Sequence, residues 1–596
     1  MKGVGFLIMY IEEKNRFSDE RFGKKIYDNF KAAIYCPVGD LIGITDMELF
    51  AKKFEWIEKH INVGKVYLET YRQGITIQKE QVRKLIDFFK EKGIEIAGGI
   101  TTDSAPKGEG GFNPLCYTNP DTLQLLKDVV EFTASLFDEI ILDDFYFTNC
   151  RCPSCIKAKG NRSWKDFRLE LMKEISEKII VGTAKAVNPK VKMIIKYPNW
   201  YEHYQETGYN LQEEPRIFDG IYTGTETRNP MYTQQHLPKY LSYFNMRYME
   251  NVAPGRNGGG WYDPFECSYN LTSYAEQAYL TLFAKAKEVM MFSLGSLLDP
   301  EFSLCVPVNG QIFMDLDSYL GELGEPVGIA TYLPYHSHGE DYLHNYIGML
   351  GIPLEPYPQY PESAKTIFLT KSAAMDKDIV FKVAKSLANG ADVVVTSGFV
   401  EAATNLGFQG ILTNVTVTNR KISVNSYAYS NDGGITFGGC EESVKAIEIP
   451  QMEFQTNDTW ELIAGFGEDN NFPILLKTIY GNGHLYILTI PEDYGDLYNY
   501  PRKILYIIRS VFLKNSPIML DSVSKIGLFL YSNDCLIIHS FIPWYDEVCL
   551  ILRNGYTAVK DLVSRKIIKS EIEKGNNVIR LRVSPGINKV FKLIKE

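Results

Sequence analysis

At 596 residues the chain is long enough for about three domains, each with its own core. Its composition, 45% hydrophobic and 23% charged, is that of an ordinary soluble protein, and its net charge of −10 comes from interspersed acids and bases, which argues against a nucleic-acid surface. No run approaches the ~20 apolar residues of a membrane span. Ten cysteines in so long a chain are not a disulfide scaffold, and their clustering points to metal in a reducing, cytoplasmic compartment.

The apolar run Gly3 to Ile11 is followed at once by Glu12 and Glu13, with no small-residue cleavage site, so it reads as a first strand and not as a signal segment. From there to about Ser296, strand-like and helix-like segments alternate. The strands are placed at Gly5–Ile11, Lys65–Glu69, Ile94–Thr101, Glu139–Asp144, Lys192–Tyr197, Gly220–Gly224, a weak one at Gly258–Tyr262, and Val289–Leu294. The segments between them are amphipathic, such as Lys79–Lys92 with its stop at Gly93. Eight strands with seven crossovers read as a (β/α)8 TIM barrel. An open doubly wound sheet would need a Gly-rich phosphate loop after its first strand, and none follows.

A second α/β unit begins near Glu325. Strands Val327–Tyr332, Lys365–Leu369 and Ala391–Thr396 alternate with helices Asp341–Leu350 and Asp378–Ala388, an order expected of a small flavodoxin-like parallel sheet. A β-rich part runs to about Asn471, then a strand in Gly481–Pro491 and a helix at Arg502–Leu513. From Ser516 on, alternating strands with turns at Asn554-Gly555, Gly575-Asn576 and Pro585-Gly586 read as a small antiparallel, β-sandwich-like domain. The expected division is 1–322, 323–515 and 516–596. A class I amidotransferase would need a nucleophilic Cys at the elbow near Thr396-Ser397-Gly398. Ser397 stands there, so the middle domain reads as structural. His336, His338 and His344 read as surface or interface histidines and not as a metal set.

The most specific motif follows the fourth strand. Cys150-x-Cys152-x2-Cys155 offers three thiolates in one short loop, and tetrahedral zinc needs a fourth ligand. Cys116 is the natural candidate, because it lies in the loop after the preceding strand and such loops are neighbours in a barrel. A closed site of four thiolates is structural, and no organic cofactor is expected.

A barrel with these four cysteines, followed by a flavodoxin-like domain and a small β domain, resembles the family 42 β-galactosidases. The resemblance implies a glycoside hydrolase with a middle domain that makes trimers, hence a homo-oligomer whose active-site mouth is rimmed by a neighbour. The chain departs from the family at the chemistry. The family ends strand four with Asn-Glu where this chain has Asp143-Asp144, and the region of the family's nucleophilic Glu reads GGGWYDPFE, with Asp263 and Glu266.

Glycoside hydrolysis needs two carboxyl groups facing across the scissile bond. Carboxylates at C-terminal strand ends are Glu69, Asp103, Asp143, Asp144, Glu226 and Asp263. Because side chains alternate along a strand, one of Asp143 and Asp144 is expected to face the mouth and the other to pack against an amide or a cation. Asp144, nearer the mouth, and Glu226 are the expected pair, with Asp263 in reserve and Asp143 in a binding or supporting role. Arg228, beside Glu226, and Lys196 suit a hydroxyl or carboxylate. Tyr71, Arg72, Tyr197, Trp200, Trp261 and Tyr10 lie at strand ends, where aromatic faces suit pyranose rings, although much of the 13% aromatic content fills cores. Gly258 to Gly260 are expected to let the backbone approach a ligand. The expected function is an exo-acting glycosidase on imported oligosaccharides, with sugar and anomer open. The alternative is a carbohydrate-binding barrel, or one that performs phosphorolysis or transglycosylation. Neither involves nucleic acid or membrane.

Overall fold

The computed structural model describes residues 27–104, 114–233, 235–430, 437–468 and 470–595. Eight parallel strands close into a barrel: β1 (Lys31–Cys36), β2 (Val63–Arg72), β3 (Glu95–Ile100), β4 (Glu139–Leu142), β5 (Lys192–Tyr197), β6 (Gly220–Gly224), β7 (Asn257–Tyr262) and β8 (Glu288–Phe292). β1 pairs with both β2 and β8, which seals the ring. The expected first strand, Gly5–Ile11 with Tyr10, lies outside the described residues. The strand that fills its place in the barrel is β1, KAAIYC, buried from Ala32 to Cys36. The other seven strands stand within a few residues of their expected places, most of them on the largely apolar runs that burial on both faces requires, and β7 on the weak GGGWY segment.

The barrel interior is layered. At the bottom, Lys65 pairs with Glu139 and Glu288, and the Tyr67 hydroxyl donates to Glu288 at 2.8 Å. The middle is a plug of Tyr35, Tyr67, Ile141, Tyr222, Trp261 and Met290. Such large side chains fit because their neighbours are small: a Cβ on Gly99 would meet the Tyr35 hydroxyl at 2.6 Å. The same reason corrects the reading of the Gly258–Gly260 run. A Cβ on Gly259 would lie 2.2 Å from the Glu288 carbonyl, and one on Gly260 2.4 Å from Thr281. These two glycines admit protein neighbours and are not a backbone cradle for a ligand. The top layer carries the site.

The middle sheet has a parallel part in the order β10-β9-β11-β12-β17, formed by β9 (Ile329–Tyr332), β10 (Leu354–Tyr357), β11 (Thr366–Leu369), β12 (Asp392–Thr396) and β17 (Gly483–Leu488). This is the flavodoxin-like order. The β-rich part is not a separate unit. It continues the same sheet as four antiparallel strands, β13 (Thr416–Ser430), β14 (Phe437–Glu453), β15 (Thr459–Gly467) and β16 (Asn470–Tyr480). The C-terminal part holds a four-stranded and a six-stranded antiparallel sheet, and the latter borrows Pro326–Val327 from the start of the middle unit. Among the described residues no helix is long and apolar enough to cross a membrane.

The middle unit grips the barrel at two places. Arg247, on the helix between β6 and β7, forms a forked, buried ion pair with Glu355 of β10, with contacts of 2.7 to 3.2 Å. The loop after β9 packs on the loop after β5, where Tyr342 N donates to Glu202 (2.9 Å) and Gln205 to the Ser337 carbonyl (3.3 Å), and on the helix that precedes β5, where Lys165 donates to the His336 carbonyl (2.8 Å). His344 is buried beside them, stacked on Phe244, and burial pushes its pKa down to about 3. It is an interface histidine, held neutral.

Removing one partner of a buried pair leaves the other charge uncompensated, at about 3–5 kcal/mol. Arg247→Leu is therefore expected to destabilise the protein by about that amount in denaturant unfolding, and a loss below about 1 kcal/mol would show that the Glu355 carboxylate reaches water.

Candidate active site

The C-terminal ends of the barrel strands surround a cavity of about 600 Å³. Arg72, Asp143, Asp144, Lys196, Glu226, Arg228 and Asp263 line it, with Phe145, Phe147, Trp200, Trp261, Phe265 and Phe292 as aromatic walls and Asn199, Gln235 and Glu266 as further polar groups.

Lys196 sits at the centre. It is the next-to-last residue of β5, on the inward face, and is almost wholly buried. Its ammonium lies 2.6 Å from Asp144 Oδ2, 2.9 Å from Glu226 Oε1 and 3.6 Å from Asp143 Oδ1. Below it, the Trp261 ring centroid is 4.2 Å away, a cation–π contact in a desolvated place. Asp144 and Glu226 thus converge on one cation. Their two bound oxygens are no farther apart than these distances laid end to end, about 5.5 Å.

Asp143 continues the inward alternation of β4 after Ile141. Its Oδ2 accepts from Arg72 Nη2 at 2.7 Å and Thr101 Oγ1 at 3.2 Å, and its Oδ1 accepts the Asp144 N–H at 2.8 Å. Asp144 reaches the same cavity by another route. β4 ends at Leu142, the chain turns, and strict alternation no longer applies. Both carboxylates of the pair therefore line the mouth, where alternation alone allows one.

Glu69 lies beneath the cavity and does not line it. It is fully buried, accepts the Tyr35 hydroxyl at 2.8 Å and the Val38 N–H at 2.7 Å, and holds Arg72 Nε at 3.1 Å from each oxygen. It acts on the site through Arg72. Tyr71 also lies outside the cavity: the register of β2 shifts between Glu69 and Tyr71, and its ring packs in the surrounding core. Tyr197, next to Lys196, takes the opposite face of β5, where its hydroxyl meets Glu214 at 3.2 Å. Asp263 has both oxygens held by Arg228, at 2.9 and 2.7 Å. Asn199 and Gln235 were missed. They pair amide to amide at 2.9 and 3.2 Å at the rim, and Asn199 also donates to the Glu226 carbonyl. The signal for Asn199 was its place just past β5, in KYPNW.

Charge counting decides the protonation. Asp143, Asp144, Glu226, Asp263 and Glu266 line the cavity with Arg72, Lys196 and Arg228, two more acids than bases, and Glu69 lies just beneath. Burial pushes the Asp144 carboxyl up to about 7; Lys196 opposes this, and Asp143 and Glu226 reinforce it. Burial also raises Glu226, again opposed by Lys196. Burial acts on Asp143 in the same direction, but Lys196 and Arg72 outweigh it and hold that carboxyl below its usual range. Two adjacent carboxyls are pushed apart, the arrangement that separates an acid from a permanently ionised neighbour.

The four cysteines come together outside the mouth, at the loops after β3 and β4. Their sulfurs lie within 4.8 Å of one another, with Cys116 Sγ 3.6 Å from both Cys152 and Cys155. A tetrahedron of metal–sulfur bonds near 2.3 Å has edges of about 3.8 Å, so this donor set fits a divalent ion such as zinc. The clip holds the loop that begins at Asp144. That loop is also tied by Thr148 N to the Thr207 carbonyl at 2.9 Å and by the Tyr209 hydroxyl to the Asp144 carbonyl at 2.5 Å.

A carboxyl that ionises near 4 in the unfolded chain and near 7 in the folded one gives the folded state the extra proton between those values. Stability then falls as pH rises through that window and levels off above it. Asp144→Asn lacks this titration, so its stability relative to the parent is expected to improve between pH 4 and pH 8 in equilibrium unfolding. The same difference at both pH values would overturn the assignment of a raised pKa to Asp144.

Three family models match the chain in succession. Residues 19–311 match the catalytic domain of a probable glycosyl hydrolase, 324–493 the second domain of the uncharacterized protein SSO3021, and 517–594 the C-terminal domain of a probable glycosyl hydrolase. The uncharacterized protein SSO3021 of Saccharolobus solfataricus is 25% identical over 523 residues, covering 81% of this chain and 86% of that protein. Among solved structures, a β-galactosidase from Bacillus circulans sp. alkalophilus superposes with a TM-score of 0.65 at 10% identity, covering 95% of this chain and 99% of that one. The β-galactosidase from Rahnella sp. R3 gives 0.64 at 11%, covering 96% and 99%. A catalytic mutant of Gan42B, a GH42 β-galactosidase from G. stearothermophilus, gives 0.62 at 11%, covering 95% and 98%. At such identities these three bear on the fold. In that fold, in the glycosyl hydrolase models it matches and in its four-cysteine cluster, the chain resembles the family 42 β-galactosidase-like glycoside hydrolases, with divergent residues at the catalytic strand ends.

Proposed function

We propose that the protein is a glycoside hydrolase acting on the ends of small oligosaccharides or glycosides through two carboxyl groups, Asp144 and Glu226. The observation that carries this reading is the convergence of both on the Lys196 ammonium inside an aromatic-walled cavity. Retaining glycosidases hold their two carboxyl groups roughly 5–5.5 Å apart and inverting ones roughly 6.5–9.5 Å. The bound of about 5.5 Å on the Asp144 and Glu226 oxygens favours the retaining arrangement.

Asp144, raised to about 7, carries the proton that passes to the glycosidic oxygen as that bond breaks. Glu226 bonds to the anomeric carbon in the first step. In the second, water displaces it while Asp144, now ionised, takes the water's proton. Lys196 steadies both carboxylates, and it holds the ionised one as charge moves between them. Asp263 is the reserve for the second role, and its two-point grip by Arg228 favours Glu226. Asp143 is the fixed negative charge that keeps Arg72 and Lys196 in place. Trp200 and Trp261 offer faces to sugar rings. β-Galactosides, the substrates named for the β-galactosidases that share this fold, are the first substrate class to test.

The cysteines hold a structural zinc, the catalytic domain is 1–322, and the domains 323–515 and 516–596 follow it. Free buried thiols such as Cys36, Cys267 and Cys305 suit a reducing cytoplasm. The assembly is a homo-oligomer, a trimer by resemblance. Met231 (76% exposed) and Tyr269 (91%) at the barrel mouth, and Phe381 (66%) on the middle unit, are large apolar side chains that an interface would cover.

Asp144→Asn and Glu226→Gln are expected to keep their fold and lose two or more orders of magnitude of turnover on aryl glycosides, as loss of the proton donor and of the nucleophile respectively implies. Asp143→Asn acts instead on stability or binding. Full activity in Asp144→Asn would sink the pair, and sugar binding without turnover of any glycoside would favour the binding-module reading. Static light scattering is expected to give a multiple of the 67.9 kDa chain mass, and a monomer at working concentration would contradict the assembly.

A further inference from the structure

The segment 336–342 of the middle unit holds an unfavourable backbone. His336, Glu340 and Tyr342 stand in the left-handed region, at φ of 57°, 53° and 63°, beside Gly339 at 114°. Residues with a Cβ avoid that region and persist there only where their surroundings over-determine it. Asp341 closes the loop locally by accepting the Gly339 N–H at 2.6 Å. Glu340 ties it outward, across the C-terminal ends of two neighbouring strands. Its Oε2 accepts the Lys371 N–H after β11 at 2.7 Å and the Thr396 hydroxyl at the end of β12 at 2.5 Å, and its Oε1 accepts the Gly398 N–H at 3.2 Å. Gly398 leaves room for this carboxylate: a Cβ there would lie 2.3 Å from Oε1.

The other side of the same loop meets the barrel. Tyr342 N donates to Glu202 at 2.9 Å, the Tyr342 ring packs edge-on against Tyr201 at 5.3 Å, and Asn345 donates to the Tyr201 hydroxyl at 3.2 Å. Tyr201 and Glu202 belong to a short 3-10 turn, Tyr201–His203, with Trp200 at its N-terminal cap position. Asn199 and Trp200 line the cavity. The aromatic wall is therefore mounted on a turn whose partners lie in the middle unit. All three donors to Glu340 also belong to the middle unit, so its influence on the barrel passes through the loop.

We infer that Glu340 is a positioning residue for the cavity wall at Asn199 and Trp200: its carboxylate pins the 336–342 loop in its left-handed form, and that loop sets the turn that carries Trp200. Release of the carboxylate lets the loop relax toward ordinary φ values, and the Tyr342 N–H and ring then move off Glu202 and Tyr201. Asp144, Lys196 and Glu226 stand on β4, β5 and β6 or just past them and keep their places. The mechanical link stands on these contacts alone, and its effect on substrate rests on the proposed function.

The test uses the full chain and two variants. Glu340→Gln sets an NH2 group against an N–H donor at nearly unchanged volume, and Gly398→Ala leaves every charge in place but displaces the carboxylate. Hydrogen exchange read by mass spectrometry is expected to be about tenfold faster in both variants over 199–207 and 336–343, as loss of a hydrogen bond to a carboxylate implies, and to keep the parent's rate over β4 and β6. On an aryl glycoside that the parent turns over, KM is expected to rise about tenfold with kcat within about twofold, the pattern of binding lost beside an intact reacting centre. A smaller folded fraction would instead lower kcat and leave KM unmoved, and that result would overturn the inference. Exchange over 199–207 at the parent's rate in Glu340→Gln would also overturn it. A parent that turns over no glycoside would sink the proposed function and leave the exchange rates to decide this inference. Should Glu340→Gln fail to fold, Gly398→Ala decides by the same measure; failure of both would make Glu340 a residue of overall stability and overturn its positioning role.

Discussion

The site depends on one ammonium. Lys196 is wrapped by three carboxylates and a tryptophan face. Without it, Asp143, Asp144 and Glu226 would be three like charges in a desolvated space, and the coulombic repulsion would force protons onto more than one of them. With it, one carboxyl is kept firmly ionised and its neighbour is free to hold a proton. The difference between acid and base at this site is thus a matter of position around a single cation. Arg72, also in the cavity lining, holds Asp143 as well, and Glu69 beneath it in turn holds Arg72.

That cation is held in place by packing. Trp261 can lie under Lys196 because Tyr35 and Phe292 brace it, and because the backbone beside them is glycine or alanine where the rings need room. The polar top layer is therefore set on a rigid aromatic plug, and the plug on a closed bottom layer of Lys65, Glu139 and Glu288. The candidate side chains sit in the top layer, and the packed layers beneath have little freedom to move them.

Much of this was legible in the sequence. Six barrel strands announced themselves as short, largely apolar runs, since strands covered on both faces must be largely apolar, whereas β7, with its GGGWY, read only weakly. β1 escaped because its Lys31-Ala32-Ala33 start carries little hydrophobic signal. The carboxylates at strand ends were visible as residues, but their directions were not. Tyr197 and Lys196 are adjacent and take opposite faces, and only the packing says which is which. Asp144 shows the limit from the other side, since the two-residue period holds only while the strand lasts. Tyr71 was displaced by a register shift that no local pattern marks. The cysteine cluster was legible because its three ligands are local and the fourth lies in a neighbouring loop. Asn199 and Gln235 were not, because their pairing joins loops after different strands.

The contact between the loops after β9 and β5 has one more consequence. Glu202, Gln205 and Lys165 on the barrel side are engaged by backbone groups of residues 336, 337 and 342, so the segment carrying Asn199 and Trp200 is shaped partly by chain that lies beyond the barrel. Backbone partners are indifferent to side-chain identity, so this joint tolerates sequence drift on the middle unit while its shape is kept. It does not tolerate transplantation. A barrel excised from this chain, or grafted onto another middle unit, would keep its carboxylates and lose the support behind Asn199 and Trp200.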